Sequence, residues 1–365
     1  MNKENMTKLS ENPYLMKAFK CLCDWLCQIQ KGGKFSGWAF QDQRAARGLL
    51  AGYEILNDKK YLEAATQWGE TILNEQREDG GYRMGYGVWK DPPQEECYVA
   101  DGGETSQGIM ALYSYAGGEF KNKLRISADK YFKYRAGFRN EDGSYGVGWV
   151  KYDYINNNGE TLKQKERVFR ENRGASFVVS CSLGGAAAYS ALTKNQEDVV
   201  SAVNDTLKCI EEFPPMIAGG VYIESLCWAH YYLQDEKTRD AIACCLNKKW
   251  IPCVTDKERL WWLEGAGRTV FGLDSLVYYY TNIKKSPDVL TAIQRATTAL
   301  CEPMWRGVPK SDGTAFPMGH LVLYPTLTEL TEQPDKINDS QWRYLCYGLL
   351  SLGDVILPNS SLRNL

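Results

Sequence analysis

The chain has 365 residues with 43 basic and 45 acidic side chains, which gives a formal net charge of −2. Since no basic excess is present to neutralise phosphates, the composition argues against nucleic acid as the main partner. Residues 1–11 are polar, and no run of about 18 apolar residues occurs, which predicts neither a signal peptide nor a membrane span. We therefore expect a cytoplasmic protein that does not enter a membrane.

Six segments of similar composition recur along the chain at intervals of roughly 40 to 75 residues, the signature of a repeated helical unit. Each is apolar on nearly all sides and mixes small residues with Tyr or Leu, as a helix buried on most sides does. We predict that they are inner helices. In chain order they are 47–56, 107–115, 184–192, 224–233, 274–280 and 342–350.

A second class of segment alternates with the first and carries one apolar stripe opposite a charged face. This pattern is typical of amphipathic helices that face solvent on one side. We predict that they are outer helices, at 13–29, 60–75, 124–135, 197–211, 237–247 and 287–300. Twelve helices in alternating order predict an all-α fold, an (α/α)6 toroid of six helical hairpins that forms one domain over residues 1–365.

The connections between these helices differ in length in a regular way. Each inner helix is joined to the next outer helix by a short turn, at 57–58, 117–118, 194–195, 234–235 and 284–285. The return connections are mostly long, at about 30–41, 77–102, 138–172, 248–263 and 303–338. Because long loops in compact domains are usually functional, we expect a small-molecule site on the long-loop face, at the N-termini of the inner helices.

Two of the long loops contain similar turn sequences, at 73–82 and 138–145. The first has the pattern Gln-x-x-Asp-Gly-Gly-aromatic after an outer helix and before a Gly-rich inner helix. This combination resembles the six-hairpin glycosidase-like proteins, which include unsaturated glucuronyl and rhamnogalacturonyl hydrolases and related uronic-acid lyases and epimerases. The resemblance implies a toroid that acts on carbohydrate. Similar turns occur in terpenoid cyclases, but the Asp-x-Asp-Asp acid motif of those enzymes is absent.

The segment around residue 100 gives the first candidate catalytic residues. Asp101 and Glu104 lie three residues apart at the start of an inner helix, so both can face the same side. Capping of the helix by Asp101 or Thr105, with Glu104 as a first-turn acid, is the structural alternative. Tyr98 precedes them and is a candidate for substrate binding.

Glu264 is the third catalytic candidate. It opens another inner helix beside Trp261 and Trp262 and lies four residues before Arg268. Aromatic neighbours can desolvate a carboxyl group and raise its pKa, which suits a general acid. An ordinary i,i+4 pair between Glu264 and Arg268 is the alternative.

Further candidates for substrate binding lie on the same face. Guanidinium groups near helix N-termini suit a carboxylate or a phosphate. Seven of the 11 Trp residues also fall on the long loops or at inner-helix starts, where aromatic faces suit sugar rings. With Tyr98 and Arg268, the candidates are Asp42, Arg44, Arg170, Arg173, Tyr222, Glu224, His320, Trp38, Trp89, Trp149, Trp261 and Trp262.

These residues favour a glycoside hydrolase that acts on a uronic-acid-containing oligosaccharide. Asp101, Glu104 and Glu264 would supply acid and base, and the arginines would hold the substrate carboxylate. A lyase or epimerase would instead use a Tyr or His base. The aromatics could also shield a carbocation in a terpenoid-cyclase-like toroid, and a non-catalytic sugar-binding toroid would need no converging acids.

The chain has 12 cysteines and two histidines but no Cys-x-x-Cys pair. A zinc site usually needs such spacing together with a convergent fourth ligand. Most of the cysteines occupy apolar helical positions, which is typical of reduced core thiols in a cytosolic protein. We therefore predict no bound metal, no disulfide and no cofactor.

Overall fold

The computed structural model describes residues 9–86, 94–155, 161–169, 175–211, 219–255, 266–306, 327–334, 337 and 339–365. Within these residues, six helices form an inner ring. They are α2 (Ala39–Leu56), α4 (Val99–Tyr115), α6 (Ala175–Thr193), α8 (Gly219–Leu233), α11 (Ala266–Asn282) and α14 (Asp339–Ile356). Each packs against the next in this order, and α14 packs against α2, so the ring is closed.

The helices between them in sequence form the outer layer. They are α1 (Leu15–Ile29), α3 (Lys59–Glu75), α5 (Gly118–Ala136), α7 (Gln196–Glu211), α9 (Glu236–Cys245), which continues through a π-helical turn (Leu246–Trp250) into α10 (Ile251–Thr255), and α12 (Pro287–Arg306). A short helix, α13 (Leu327–Glu332), packs on α1. The predicted alternation of inner and outer helices is confirmed, and so is the all-α toroid.

Burial follows the sequence pattern in both layers. Every residue from 102 to 112 in α4 is buried, because neighbouring helices cover all sides of an inner helix. The outer helix α1 buries Leu15, Phe19, Leu22 and Leu26 on one stripe. Inner helices extend upstream of the apolar segments, so several polar residues lie within their first turns. None of the described helices is both long and apolar enough to span a membrane.

The short turns lie at one end of the ring and share a backbone conformation. Asn57, Lys194 and Gln234 take left-handed backbone conformations with φ of 55°, 56° and 53° as the inner helices end. The next outer helix is then capped by a side chain in all three turns, and in the second of them Asn195 accepts a hydrogen bond from the Glu197 backbone at 3.0 Å. Asp58 accepts a hydrogen bond from the Lys60 backbone at 3.1 Å, and Asp235 accepts one from the Thr238 backbone at 2.8 Å.

The opposite end carries a small antiparallel sheet that the sequence analysis treated as loops. Its strands are β1 (Gln94–Tyr98), β2 (Gly148–Ile155) and β3 (Thr161–Phe169), in the order β1-β2-β3. β1 pairs with β2 with Cys97 opposite Trp149. Strand β2 is rich in the β-branched and aromatic residues that favour strands. Its pairing with β1, which comes from another loop, is a long-range contact without a local signal.

Glycine at position 103 lets α4 approach α6 closely. A Cβ atom there would lie 2.4 Å from Ser182 Cβ and 2.5 Å from Ser182 Cα, distances that require the helices to separate. We expect Gly103→Ala to lower the free energy of unfolding by about 1–3 kcal/mol, the usual cost of overpacking. Urea denaturation measures this change. Gly37→Ala is the control, because nothing lies within 4 Å of its added Cβ, and an equal loss in both variants would contradict the packing argument.

Candidate functional site

Five polar side chains from three inner helices meet on the axis of the ring. This axial cluster consists of Arg44 and Arg47 on α2, Glu104 and Gln107 on α4, and Glu224 on α8, and each side chain is buried. In the closed ring, α8 lies three places from α2 in either direction. An interaction between these two helices therefore crosses the axis. Arg44, Glu104 and Glu224 are each the sixth residue of their helix, about 9 Å along it.

The charges of the axial cluster alternate along a chain of contacts. Arg44 Nη1 lies 2.5 Å from Glu104 Oε2, and Arg44 Nη2 lies 3.6 Å from Glu224 Oε2. Arg47 Nη2 lies 2.5 Å from Glu224 Oε1. Burial would raise the pKa of Glu224, but the guanidiniums of Arg47 and Arg44 outweigh it and hold that pKa below its ordinary value. Glu224 is therefore ionised at neutral pH.

Aromatic rings and an amide hold the two guanidiniums in place. The guanidinium of Arg44 lies 4.0 Å from the ring centroid of Tyr347, and that of Arg47 lies 5.4 Å from the ring of Trp228. In the amide orientation that satisfies its neighbours, Gln107 accepts hydrogen bonds from Arg47 Nη1 at 2.9 Å and Trp228 Nε1 at 3.0 Å. Among the described residues, the buried Nε atoms of both arginines have no acceptor, which leaves donors for a ligand.

A second set of charged residues begins beside the axial cluster and extends toward the short-turn end. We call Asp274 on α11, Asp354 on α14 and Arg363 the deep layer, and all three are buried. Burial raises the pKa of Asp274 well above its ordinary value, and the neighbouring carboxylates Glu224 and Asp354 raise it further. Burial also raises the pKa of Asp354 to about 6, against the opposing charge of Arg363. This environment favours the protonated form of Asp274.

Asp101 lies in the first turn of α4 and is half-buried. Its carbonyl oxygen accepts a hydrogen bond from Thr105 Oγ1 at 3.0 Å. Its charge acts on Tyr98 and on Tyr131 of α5, whereas Glu104 contacts Arg44 of α2. The two carboxylates predicted to act together thus have different surroundings, and only Glu104 belongs to the axial cluster.

Asp42, predicted to bind substrate, organises the loop before α2. Its buried carboxylate accepts hydrogen bonds from the backbone nitrogens of Phe35 at 2.9 Å and Ser36 at 3.1 Å, and from the hydroxyls of Ser36 and Tyr86, both at 2.6 Å. Burial raises the pKa of Asp42 to about 6, although these hydrogen bonds oppose the shift. The contacts identify Asp42 as an anchor for two rim loops, and its role toward substrate stays a prediction.

The predicted aromatic residues that the structure describes lie outside the axial cluster. Trp149 in β2 is 6% exposed and its ring is covered by the Arg77 guanidinium at 3.4 Å. The buried Tyr222 donates a hydrogen bond to the Cys209 carbonyl on the outer helix α7 at 3.4 Å. Tyr98 donates one to Glu96 at 3.3 Å. Trp38 immediately precedes α2 and contacts Phe40 edge-on.

Several sequence-predicted site residues cannot be placed in this geometry. Arg268 is the third residue of α11. The other candidates lie outside the described residues and their roles stay predictions. They are Trp89, Arg170, Arg173, Trp261, Trp262, Glu264 and His320. Among the described residues, no group of three His, Cys, Asp or Glu side chains is arranged to hold a metal ion.

Arg44, Glu104 and Glu224 were predicted from the sequence to belong to a site, but the other members of the two layers were not. Four of the apolar segments begin with a polar residue. In three of them, which begin at Arg47, Gln107 and Asp274, that residue is the ninth of its helix. A polar residue at an equivalent depth on helices that are otherwise buried was the available signal. Arg363 offered none, because it lies outside the repeat.

No protein-family model matches the sequence, and a comparison with curated proteins finds no match. The structure is similar to the GH76 α-mannanase of Bacteroides thetaiotaomicron, with 10% identity, a TM-score of 0.59 and coverage of 94% of this chain and 95% of that one. It is similar to the cellobiose 2-epimerase from Spirochaeta thermophila, with 13% identity, a TM-score of 0.55 and coverage of 95% and 99%. A third similar structure is a family 105 glycoside hydrolase of C. acetobutylicum, with 12% identity, a TM-score of 0.56 and coverage of 92% and 98%.

At these identities the likeness is one of fold. It supports the same conclusion as the closed ring of inner helices, and the predicted resemblance to six-hairpin toroid proteins is confirmed at the level of architecture.

Proposed function

We propose that the protein is a carbohydrate-active enzyme, and specifically a glycoside hydrolase that acts on a uronic-acid-containing oligosaccharide at the axis of the ring. The observation that carries this proposal is the axial cluster, in which carboxylates and guanidiniums from opposite inner helices meet two turns below the helix N-termini. Similar solved structures with carbohydrate-acting names support the class of substrate.

Glycoside hydrolysis needs one carboxyl group that donates a proton and another that activates water or attacks the sugar. Glu224 is ionised because two guanidiniums face it, so we assign it the role of base. Burial and nearby carboxylates raise the pKa of Asp274 well above its ordinary value, so we assign it the role of acid. Environments that push two neighbouring pKa values apart are the usual mark of an acid and base pair.

The guanidiniums suit the anionic part of the proposed substrate. Arginine binds carboxylates through two parallel hydrogen bonds, and Arg44 and Arg47 keep buried Nε donors for such contacts. Glu104 then acts by holding Arg44 and by contacting the sugar, and Asp101 lies one turn nearer the rim. Glu264, two residues before α11, remains the second candidate for the acid.

An activity screen tests this proposal. The purified protein is given saturated and unsaturated uronic oligosaccharides together with neutral ones, and three readouts are followed: new reducing ends, absorbance of the unsaturated uronate, and the identity of the sugar isomers. We expect new reducing ends from a uronic substrate, with turnover lost in Glu224→Gln because a neutral amide cannot accept a proton.

The screen also separates the competing functions. Elimination products without hydrolysis indicate a lyase, and new isomers without new reducing ends indicate an epimerase. Hydrolysis of neutral substrates alone refutes the uronic-acid assignment. Sugar binding by a folded protein without any turnover indicates a non-catalytic toroid.

A further inference from the structure

The last described segment of the chain closes the short-turn end of the ring. After α14 the chain turns back into a short 3-10 helix (Ser361–Arg363), which packs against α4 and α2. Its Leu362 side chain is 2% exposed. The Ser361 backbone nitrogen donates to both carboxylate oxygens of Glu54, at 3.2 and 3.0 Å. The segment is therefore packed against the ring and hydrogen-bonded to it.

This closure places one guanidinium inside the ring. Arg363 is 8% exposed, and its guanidinium lies 5.3 Å from the ring centroids of Trp228 and Tyr278 and 5.9 Å from that of Tyr231. Its carbonyl oxygen accepts a hydrogen bond from the Tyr232 hydroxyl at 3.0 Å. Aromatic faces and one backbone contact thus hold the arginine from two helices.

The two layers contain one more carboxylate than guanidinium even with Arg363 present. Among the described residues of the axial cluster and the deep layer, four carboxylates face three guanidiniums. The carboxylates are Glu104, Glu224, Asp274 and Asp354, and the guanidiniums are Arg44, Arg47 and Arg363. Because uncompensated buried charge is costly, the excess carboxylate keeps a proton. Removal of Arg363 would leave two carboxylates in excess.

We infer that Arg363 is a positioning residue for the axial site, which enters from the closed end and fixes the number of protons that the buried carboxylates hold. In the intact protein Asp274 holds the proton while Asp354 is largely ionised at neutral pH. Without the Arg363 charge, Asp354 takes up a second proton. The inference rests on the proposed function for its catalytic meaning, but its test uses no substrate.

The groups that surround Arg363 define what else can titrate in this test. These groups come from five inner helices. Helix α8 carries Glu224, Cys227, His230, Tyr231 and Tyr232, and α11 carries Asp274 and Tyr278. Asp354 lies on α14, Glu54 and Arg47 lie on α2, and Tyr115 lies on α4. Burial lowers the pKa of His230, so this residue also contributes to the pH dependence of folding. Its contribution cancels when variants that keep its charged neighbours Asp235 and Arg239 are compared.

The test measures urea unfolding of wild type and Arg363→Gln between pH 6 and pH 8. If the native variant binds an extra proton, its folding constant relative to wild type falls as pH rises, because the unfolded chain lacks that proton. The Arg363 charge lowers the pKa of Asp354, so its loss should raise that pKa. A rise of about one pKa unit makes this ratio fall by about fivefold across the range, and a larger rise makes it fall further. Lys123→Gln, on the exposed face of α5, should leave the ratio constant.

Two further variants keep the test decisive. Arg363→Lys retains the charge and should restore the wild-type pH dependence, even where lost stacking lowers stability at every pH. If Arg363→Gln does not fold, the double variant Arg363→Gln/Asp354→Asn should fold, because it has one carboxylate in excess, as wild type does. A constant ratio for Arg363→Gln, or a double variant that also fails to fold, would overturn the inference. Absence of carbohydrate turnover would instead remove the proposed function and leave this result standing.

Discussion

Asp274→Asn is expected to lower the turnover number by about 10²–10⁴-fold, the range observed when a general acid is lost. The asparagine amide has nearly the shape of the carboxyl group but cannot release a proton to a leaving oxygen. Steady-state kinetics on the substrate found by the screen measure the change. Asp240→Asn is the control, because this acid lies on the exposed face of α9, where it contacts Arg239.

Asp274→Asn should not lower the stability of the fold, although it lowers turnover. Burial raises the pKa of Asp274 in the folded protein above its unfolded value, so the folded state binds the proton more tightly. Its stability is then greatest at low pH and falls as pH rises from the unfolded pKa through the folded pKa. Asp274→Asn removes this loss, and we expect its unfolding free energy at pH 7 to equal or exceed that of wild type. Near-normal turnover in Asp274→Asn would assign the acid to Glu264.

Arg47→Met is expected to lower the free energy of unfolding by about 3–5 kcal/mol, because it leaves the Glu224 carboxylate buried without its partner at 2.5 Å. The double variant Arg47→Met/Glu224→Met should recover most of this loss, since two apolar side chains of similar volume leave no buried charge in the pair. Urea unfolding of the two single variants and the double variant gives the coupling free energy.

A surface pair provides the comparison. Arg125 and Asp129 form an i,i+4 ion pair on α5 at 2.9 Å, with side chains 33% and 44% exposed. Solvent screens such pairs, so its coupling should be below about 0.5 kcal/mol. If the buried pair gave a coupling as small as this one, Arg47 and Glu224 would not be held together in solution and the axial cluster would lose its electrostatic basis.

The sequence predicted the twelve helices and their two layers because apolar periodicity is a local property that repeats along the chain. It also predicted that Arg44, Glu104 and Glu224 belong to a site. It did not predict the partners of these residues, since Arg47 meets Glu224 across the ring from far away in sequence. The pairing of β1 with β2 was missed for the same reason, because these strands come from different connections. Strands β2 and β3 follow one another in one connection, and their pairing was missed although it is local in sequence.

Other residues were predicted in the right region but with a different local role. Asp42 lies near the start of α2 as expected, yet its carboxylate accepts hydrogen bonds from Phe35, Ser36 and Tyr86. Only the folded loop brings these donors together. Arg363 follows the last inner helix and has no counterpart in the repeat, so periodicity carries no information about its insertion into the ring.

The contact that closes the ring has a consequence for how the chain folds. Five of the six inner-helix contacts join consecutive hairpins, whereas α14 meets α2 about 300 residues away, so this seam has the largest loop to close. Hairpins can stack one after another, but the seam forms only when the sixth has been made. Arg44 lies at this seam, stacked on Tyr347 of α14 at 4.0 Å. A ligand bound by Arg44 would therefore stabilise the contact between α2 and α14, the first and last helices of the inner ring.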